Sequence, residues 1–151
     1  MTKLSFSCEI RAPLEKVWEF HKSIETLPTI TPPSVRVTLP QEVEPPRVGA
    51  LYPMNIIVRG IVIHWTAEYV EFDPPNGFVD RQVSGPFKSW EHTHHFTETA
   101  GGTLVEDTLT YVPPFGLLGR LADRLIIRRE LRAMFAYRYR ETKRILEEQT
   151  P

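Results

Sequence analysis

Apolar and polar residues alternate along much of the chain up to Val112, and apolar residues recur at helical intervals beyond it. Leu4, Phe6, Cys8 and Ile10 alternate with Ser5, Ser7, Glu9 and Arg11, which predicts a strand with one buried face. Pro13 opens a short helix where its missing N–H costs nothing, with Leu14, Val17, Trp18 and His21 at helical spacing. A second short turn or helix is expected over Ile24 to Leu27. Strands are expected at Val35 to Leu39, Tyr52 to Val58, Ile61 to Phe72, Phe78 to Val83, Lys88 to Thr97 and Thr103 to Val112. Arg59-Gly60, Asp73-Pro74-Pro75-Asn76-Gly77, Gly85-Pro86 and Ala100-Gly101-Gly102 punctuate them. From about Phe115 to about Gln149, Leu118, Leu121, Leu125, Leu131, Phe135 and Ile145 predict one long helix. At some 30 residues and 1.5 Å per residue it would span ~45 Å, enough to cross a whole sheet.

Short turns between successive strands favour antiparallel pairing. A sheet with one buried face needs an apolar cover, and the last helix is the only large one on offer. The expected fold class is therefore α+β. It is a curved antiparallel sheet of about seven strands around a long C-terminal helix, with short helices after the first strand. Residues 1–151 are expected to form a single domain with an apolar pocket between sheet and helix.

Composition narrows the function. The formal net charge of -1 argues against a nucleic-acid binder, which would show a basic excess. The one cysteine, Cys8, excludes an intrachain disulfide, and it sits on an apolar strand face, where packing is its expected role. The opening MTKLSFSCEIRA has no signal-peptide core. The most apolar window, Asn55 to Trp65, is broken by Arg59 and Gly60, so no integral membrane association is expected. A cytoplasmic protein is the resulting expectation. The prolines gather in loops, where they punctuate rather than mark disorder.

The segment GPFKSWEHTHHF, residues 85 to 96, carries the candidate chemistry. On a strand, Trp90, His92, His94 and Phe96 share one face, and the bulk of Trp90 and Phe96 makes it the inner one. A two-residue loop at Ala100-Gly101 would set Phe96 opposite Val105, His94 opposite Asp107, His92 opposite Leu109 and Trp90 opposite Tyr111. Buried histidines held by Asp107 or Tyr111 are one reading. Polar anchors for a ligand are a second. A metal site, with Asp107 or His64 as a further ligand, is a third and is not favoured; no metal or other cofactor is expected. Acid–base catalysis by a His–Asp pair overlaps the second reading. Trp65, Ala67 and Tyr69 share a strand face, whereas Asp80 and Arg81 are expected at the surface or rim. Of the arginines on the last helix, Arg128 and Arg138 lie near its apolar stripe, where either could reach a cavity rim and meet an anionic head group. Docking of this helix on a membrane surface is a weaker reading of the same charges. No nucleophile elbow, phosphate-cradling glycine loop, CxxC or HExxH occurs.

The stretches APLEKVWEF (12–20), EFDPPNGFVDRQVSGPFKSWEHTHHF (71–96) and GGTLVEDTLTYVPPFG (101–116), with the arginine-rich last helix, resemble the SRPBCC superfamily. Its helix-grip proteins include START lipid-transfer domains, the birch pollen allergen type and polyketide cyclases. The resemblance implies a cavity between sheet and last helix, and supports Trp90, His92, His94, Phe96, Asp107 and Tyr111 as its walls. With Trp65, Tyr69, Leu121, Leu125 and Phe135, these are the expected ligand-binding residues. The leading expectation is binding of a hydrophobic small molecule or lipid. The alternative is a polyketide cyclase/dehydratase-like enzyme using a cavity His/Asp pair. A partner module, with this chain as a homodimer, comes last, because no exposed apolar stripe is evident.

Overall fold

The computed structural model describes residues 1–148. Seven strands, β1 (Thr2–Ile10), β2 (Val35–Thr38), β3 (Leu51–Val58), β4 (Ile61–Asp73), β5 (Gly77–Ser84), β6 (Ser89–Thr99) and β7 (Gly102–Val112), form one antiparallel sheet in the order β1-β7-β6-β5-β4-β3-β2. Helix α1 (Leu14–His21) and a 3₁₀ helix (Ile24–Ile30) connect β1 to β2. The expected elements are all present. Pro13 stands one residue before α1 rather than inside it, with its carbonyl accepting the first helical bonds from Lys16 and Val17. The 3₁₀ helix runs on through Pro28 to Ile30, beyond the expected Leu27.

Local chemistry sets the turns. Arg59 and Gly60 both have positive φ, 50° and 80°, the twist that a tight hairpin between β3 and β4 demands. At Gly77 a Cβ would stand 2.1 Å from the His94 carbonyl oxygen, so only glycine lets β5 close against β6 at that point. Irregularities in the β4–β5 pairing at Thr66/Ala67 and Tyr69/Glu71 bend the sheet. The β6–β7 register pairs Phe96 with Val105, His94 with Asp107, His92 with Leu109 and Trp90 with Tyr111, as the hairpin loop predicts.

The concave face is apolar and aromatic. Trp18 of α1 packs at 5.2–6.3 Å, ring to ring, on Phe72, Phe78 and Phe96, closing one end. Burying such a ring stabilises the fold by about 2–3 kcal/mol.

The last helix departs from a single regular rod. It runs as α2 (Gly116–Ala122), one π-helical turn (Asp123–Ile127) and α3 (Arg128–Glu148). Its expected end at Gln149 lies outside the described residues. Gly119, Asp123, Leu131 and Phe135 are buried, with Ile127 partly so, at steps of four. A regular helix would drift ~40° at each such step, and the wider π turn absorbs the drift. Leu118, Leu121 and Leu125 therefore fall on the outer face, 76%, 55% and 66% exposed, and do not form the expected lid.

Asp123 locks this turn. Its carboxylate accepts hydrogen bonds from Tyr111 Oη (2.6 Å), Thr2 Oγ1 (2.8 Å) and Arg128 Nε (2.8 Å), tying the helix to β7 and β1. Asp123→Ala strands two buried hydroxyls and a cation, and is expected to cost about 3 kcal/mol in denaturant unfolding. A loss under about 1 kcal/mol would mean that the latch carries no load.

Candidate functional site

Three neighbouring strands bring a charged cluster together on the concave face. Asp80 comes from β5, His92 and His94 from β6, and Asp107 from β7. His92 Nε2 bonds Asp107 Oδ1 at 2.7 Å, and His94 Nε2 bonds Asp80 Oδ2 at 2.9 Å. His94 Nδ1 also lies 3.1 Å from Asp107 Oδ1, so both of its nitrogens face carboxylates. Tyr139 of α3 donates its hydroxyl to Asp107 Oδ2 at 2.6 Å. The two imidazoles stack with centroids 3.7 Å apart, and Phe78 covers His94 at 4.0 Å.

These contacts divide the protons. Burial opposes charge on His94, but the carboxylates of Asp107 and Asp80 outweigh it and raise its pKa to about 9. Burial, reinforced by the adjacent His94, lowers the pKa of His92, although its bond to Asp107 works the other way. Burial would raise the Asp107 pKa, yet its bonds from His92 and His94 hold it well below the usual carboxylate range. At neutral pH His94 is an imidazolium donating from both nitrogens, and His92 is neutral.

A cavity of about 710 Å³ opens beside this cluster. Helix α3 lies over the β1 side of the sheet, where Phe135 stacks on Phe6 at 4.4 Å, and leaves the concave face of β3 to β5 uncovered. Ile24, Leu27 and Ile30 of the 3₁₀ helix, Val37, Met54, Ile56 and Ile63 of the sheet, and Leu131 and Met134 of α3 make most of the wall apolar. Two further polar groups face it. His21 donates Nδ1–H to the Val17 carbonyl at 2.7 Å, and burial lowers its pKa to about 4, so its Nε2 carries a lone pair at neutral pH. The guanidinium of Arg138 stands over the Phe135 ring at 5.2 Å, and its Nε is buried with no hydrogen-bond partner among the described residues.

Asp80, His92 and His94 have donor atoms within 4.8 Å of one another, a span that a metal ion could bridge. A metal there would have to displace a proton from His94, both of whose nitrogens donate to carboxylates. His64, the other candidate ligand, is exposed and bonded to Asn55 at 2.7 Å, away from the cluster.

A family model described as polyketide cyclase / dehydrase and lipid transport matches residues 1–147. The chain belongs to this family. No curated protein matches it. Among solved structures, TTHA0849 from Thermus thermophilus is similar at 21% identity and a TM-score of 0.76, covering 99% of this chain and 100% of that one. CV1439 from Chromobacterium violaceum matches at 13% identity and 0.76, covering 96% and 97%. The di-domain ARO/CYC StfQ of the steffimycin biosynthetic pathway matches at 18% and 0.75, with 97% of this chain covering 51% of that protein. At these identities the likeness is one of fold. It establishes the helix-grip architecture expected from the sequence.

Within this family member, Trp65, Tyr69, Trp90, His92, His94, Asp107 and Phe135 line the cavity. Phe96 and Tyr111 do not. They are 1% and 0% exposed, Phe96 beneath Trp18 and His21 and Tyr111 bonded to Asp123. Leu121 and Leu125 lie outside the wall, and Ile126 and Ile127 take their place at the helix end of the cavity. Tyr69 spends its hydroxyl on the Lys22 carbonyl, at 3.4 Å. The tyrosine of the polar spot is Tyr139, not Tyr111. Asp80 is an inner residue rather than a rim residue, while Arg81 is at the surface as expected. Asp80 shares strand parity with the buried Phe78, a signal in the sequence that could have placed it on the inner face. Of the two arginines near the stripe, Arg138 reaches the cavity and Arg128 is taken by Asp123.

The raised pKa of His94 ties stability to pH. An ordinary histidine titrates near 6.5, so this contribution is complete below about pH 6.5 and is lost as pH rises through about 9. The melting temperature is expected to fall between about pH 7 and 9.5, and His94→Gln to flatten most of that slope. An unchanged slope in the variant would place the proton elsewhere.

Proposed function

We propose that this protein binds a hydrophobic small molecule or lipid that carries an oxygen-bearing, preferably acidic, end. The observation behind the proposal is the cavity of about 710 Å³ with one unpartnered guanidinium nitrogen in a mostly apolar wall. Ligand cavities run ~300–1,000 Å³ and fix orientation through a few polar groups. A buried donor without a partner costs about 1–3 kcal/mol, and a ligand carbonyl or carboxylate at Arg138 would recover it. The apolar residues of the 3₁₀ helix and of β2 to β4 would then hold the remainder. The family's description joins cyclase/dehydrase activity with lipid transport, and both involve such molecules.

An enzyme of the cyclase/dehydratase kind is the second reading. The pair expected for it is His92 or His94 with Asp107. His94 is poorly suited to act as a base because it is already protonated between two carboxylates, whereas His92 is neutral and donates Nε2–H to Asp107, with its Nδ1 turned toward Asp80 at 3.6 Å. His21 favours this reading as well: it is neutral and on the cavity wall, its Nδ1–H is fixed by Val17, and no carboxylate bonds its other nitrogen among the described residues. Turnover lost in His21→Gln but kept in His94→Gln would support it; the reverse pattern would exclude His21.

Binding is tested with a dansyl-labelled fatty acid and its neutral methyl ester. Both are expected to bind. Ile56→Trp, which fills the cavity, should weaken both about tenfold, and Arg138→Gln should weaken the acid about tenfold while sparing the ester. Failure of both probes to bind would overturn the proposal; equal loss of both in Arg138→Gln would remove the acidic end from it.

A further inference from the structure

The segment from Phe115 to Ile126 turns its apolar side chains outward. Phe115, Leu117, Leu118, Leu121, Leu125 and Ile126 are 85%, 80%, 76%, 55%, 66% and 59% exposed. They are six of the twelve exposed large apolar residues among those described, so the exposure is concentrated rather than scattered. Contiguous apolar surface of this kind marks an interaction site. The absence of an exposed apolar stripe expected from the sequence does not hold. Leu118, Leu121 and Leu125 are three and four residues apart and share one helix face. Phe115 is held at a φ of 62°, an uncommon conformation for a bulky residue, and its exposed ring gains nothing inside the chain.

The exposed charges within this face, from Phe115 to Ile126, are positive, and Glu130 stands one turn beyond Ile126. Arg120, Arg124 and Arg129 are exposed within or beside it. Asp123 is the only acid between residues 115 and 129, and it is buried beneath the helix, bonded to Tyr111, Thr2 and Arg128.

We propose that this face docks on an anionic lipid surface. Phe115 and the leucines would enter the boundary between head groups and acyl chains, and the arginines would meet lipid phosphates. A second copy of the chain fits less well. A two-fold interface sets a patch against itself and would bring Arg120 and Arg124 together with their copies, and the exposed acid nearest the face, Glu130, lies past its end. Among the described residues no helix is long and apolar enough to cross a membrane, so the docking is peripheral. Ile126 belongs both to this face and to the cavity wall, which places the docked surface at the cavity's lip.

The test is co-sedimentation with phosphatidylcholine vesicles, with and without phosphatidylglycerol. The native chain is expected to bind the phosphatidylglycerol vesicles, to release them as salt rises, and to bind pure phosphatidylcholine at least about tenfold more weakly. Leu118→Gln with Leu121→Gln, and separately Arg120→Gln with Arg124→Gln, should each reduce binding about tenfold or more. All four side chains are exposed and none lines the cavity, so the melting temperature and dansyl-probe binding should stay unchanged. Failure to bind anionic vesicles, or variants that bind like the native chain, would overturn the proposal. A dimer in solution abolished by Leu118→Gln with Leu121→Gln, without vesicle binding, would assign the face to a second copy and overturn it equally.

Discussion

The last helix has to keep one face on the sheet over its whole length, and a regular repeat of 3.6 residues cannot hold contacts spaced at four. The π turn at Asp123–Ile127 resolves the mismatch. Its consequences reach in both directions. Gly119 and Asp123 face inward while Leu117, Leu118, Leu121 and Leu125 around them swing out to solvent. Downstream, Leu131, Phe135, Arg138 and Tyr139 come into phase with the concave face, which brings a hydroxyl to Asp107 and a guanidinium to the cavity. The Asp123 latch is thus upstream of the site in a physical sense: it sets the phase on which the inner residues of α3 depend.

Charge balance is the second condition. Isolated ions cost several kcal/mol each to bury, so a cluster of this kind survives only when its charges cancel and its hydrogen bonds are made. The carboxylates of Asp80 and Asp107 stand against the His94 imidazolium and the Arg138 guanidinium. The two carboxylates and His94 lie on the sheet and are densely bonded. Arg138, on α3, is not, because it approaches the cluster without bonding it. A cluster whose four charges cancel therefore still leaves an unmatched donor in Arg138, a residue of the cavity wall.

How much of this the sequence discloses depends on how local the cause is. The β6–β7 pairing follows from a two-residue loop and the alternation beside it, so all four inner pairs were legible. The long last helix was legible from its period, but its phase was not, because a π turn inserts a rotation that no residue type announces. Leu121 and Leu125 were misplaced for that reason. Asp80 and Tyr139 reach the cluster through the β5–β6 register and the docking angle of α3, both non-local. His21 lay on the recognised face of α1, but its role follows only once the 3₁₀ helix and the sheet enclose it. Fold was legible because it rests on patterns repeated along many residues, whereas the site rests on single side chains from five elements.

The helix-grip architecture accommodates both carriers and catalysts, so likeness of fold does not choose between them. The protons on this cluster bear on the choice. A general base needs a lone pair near neutral pH; His94 has none to offer, and that of His92 is on Nδ1, which lies 3.6 Å from the Asp80 carboxylate. A network in which His94 and Asp107 satisfy each other, with Asp80 and Tyr139 completing the shell, spends its hydrogen bonds on holding β5, β6, β7 and α3 in place. The cavity is left with Arg138 and His21 as the polar groups least committed to the protein itself. An anchor requires only the first; a reaction requires the second as well, within reach of a bound molecule's acidic proton. The binding reading is therefore the more economical of the two, since it calls on one group already in position rather than on two in concert.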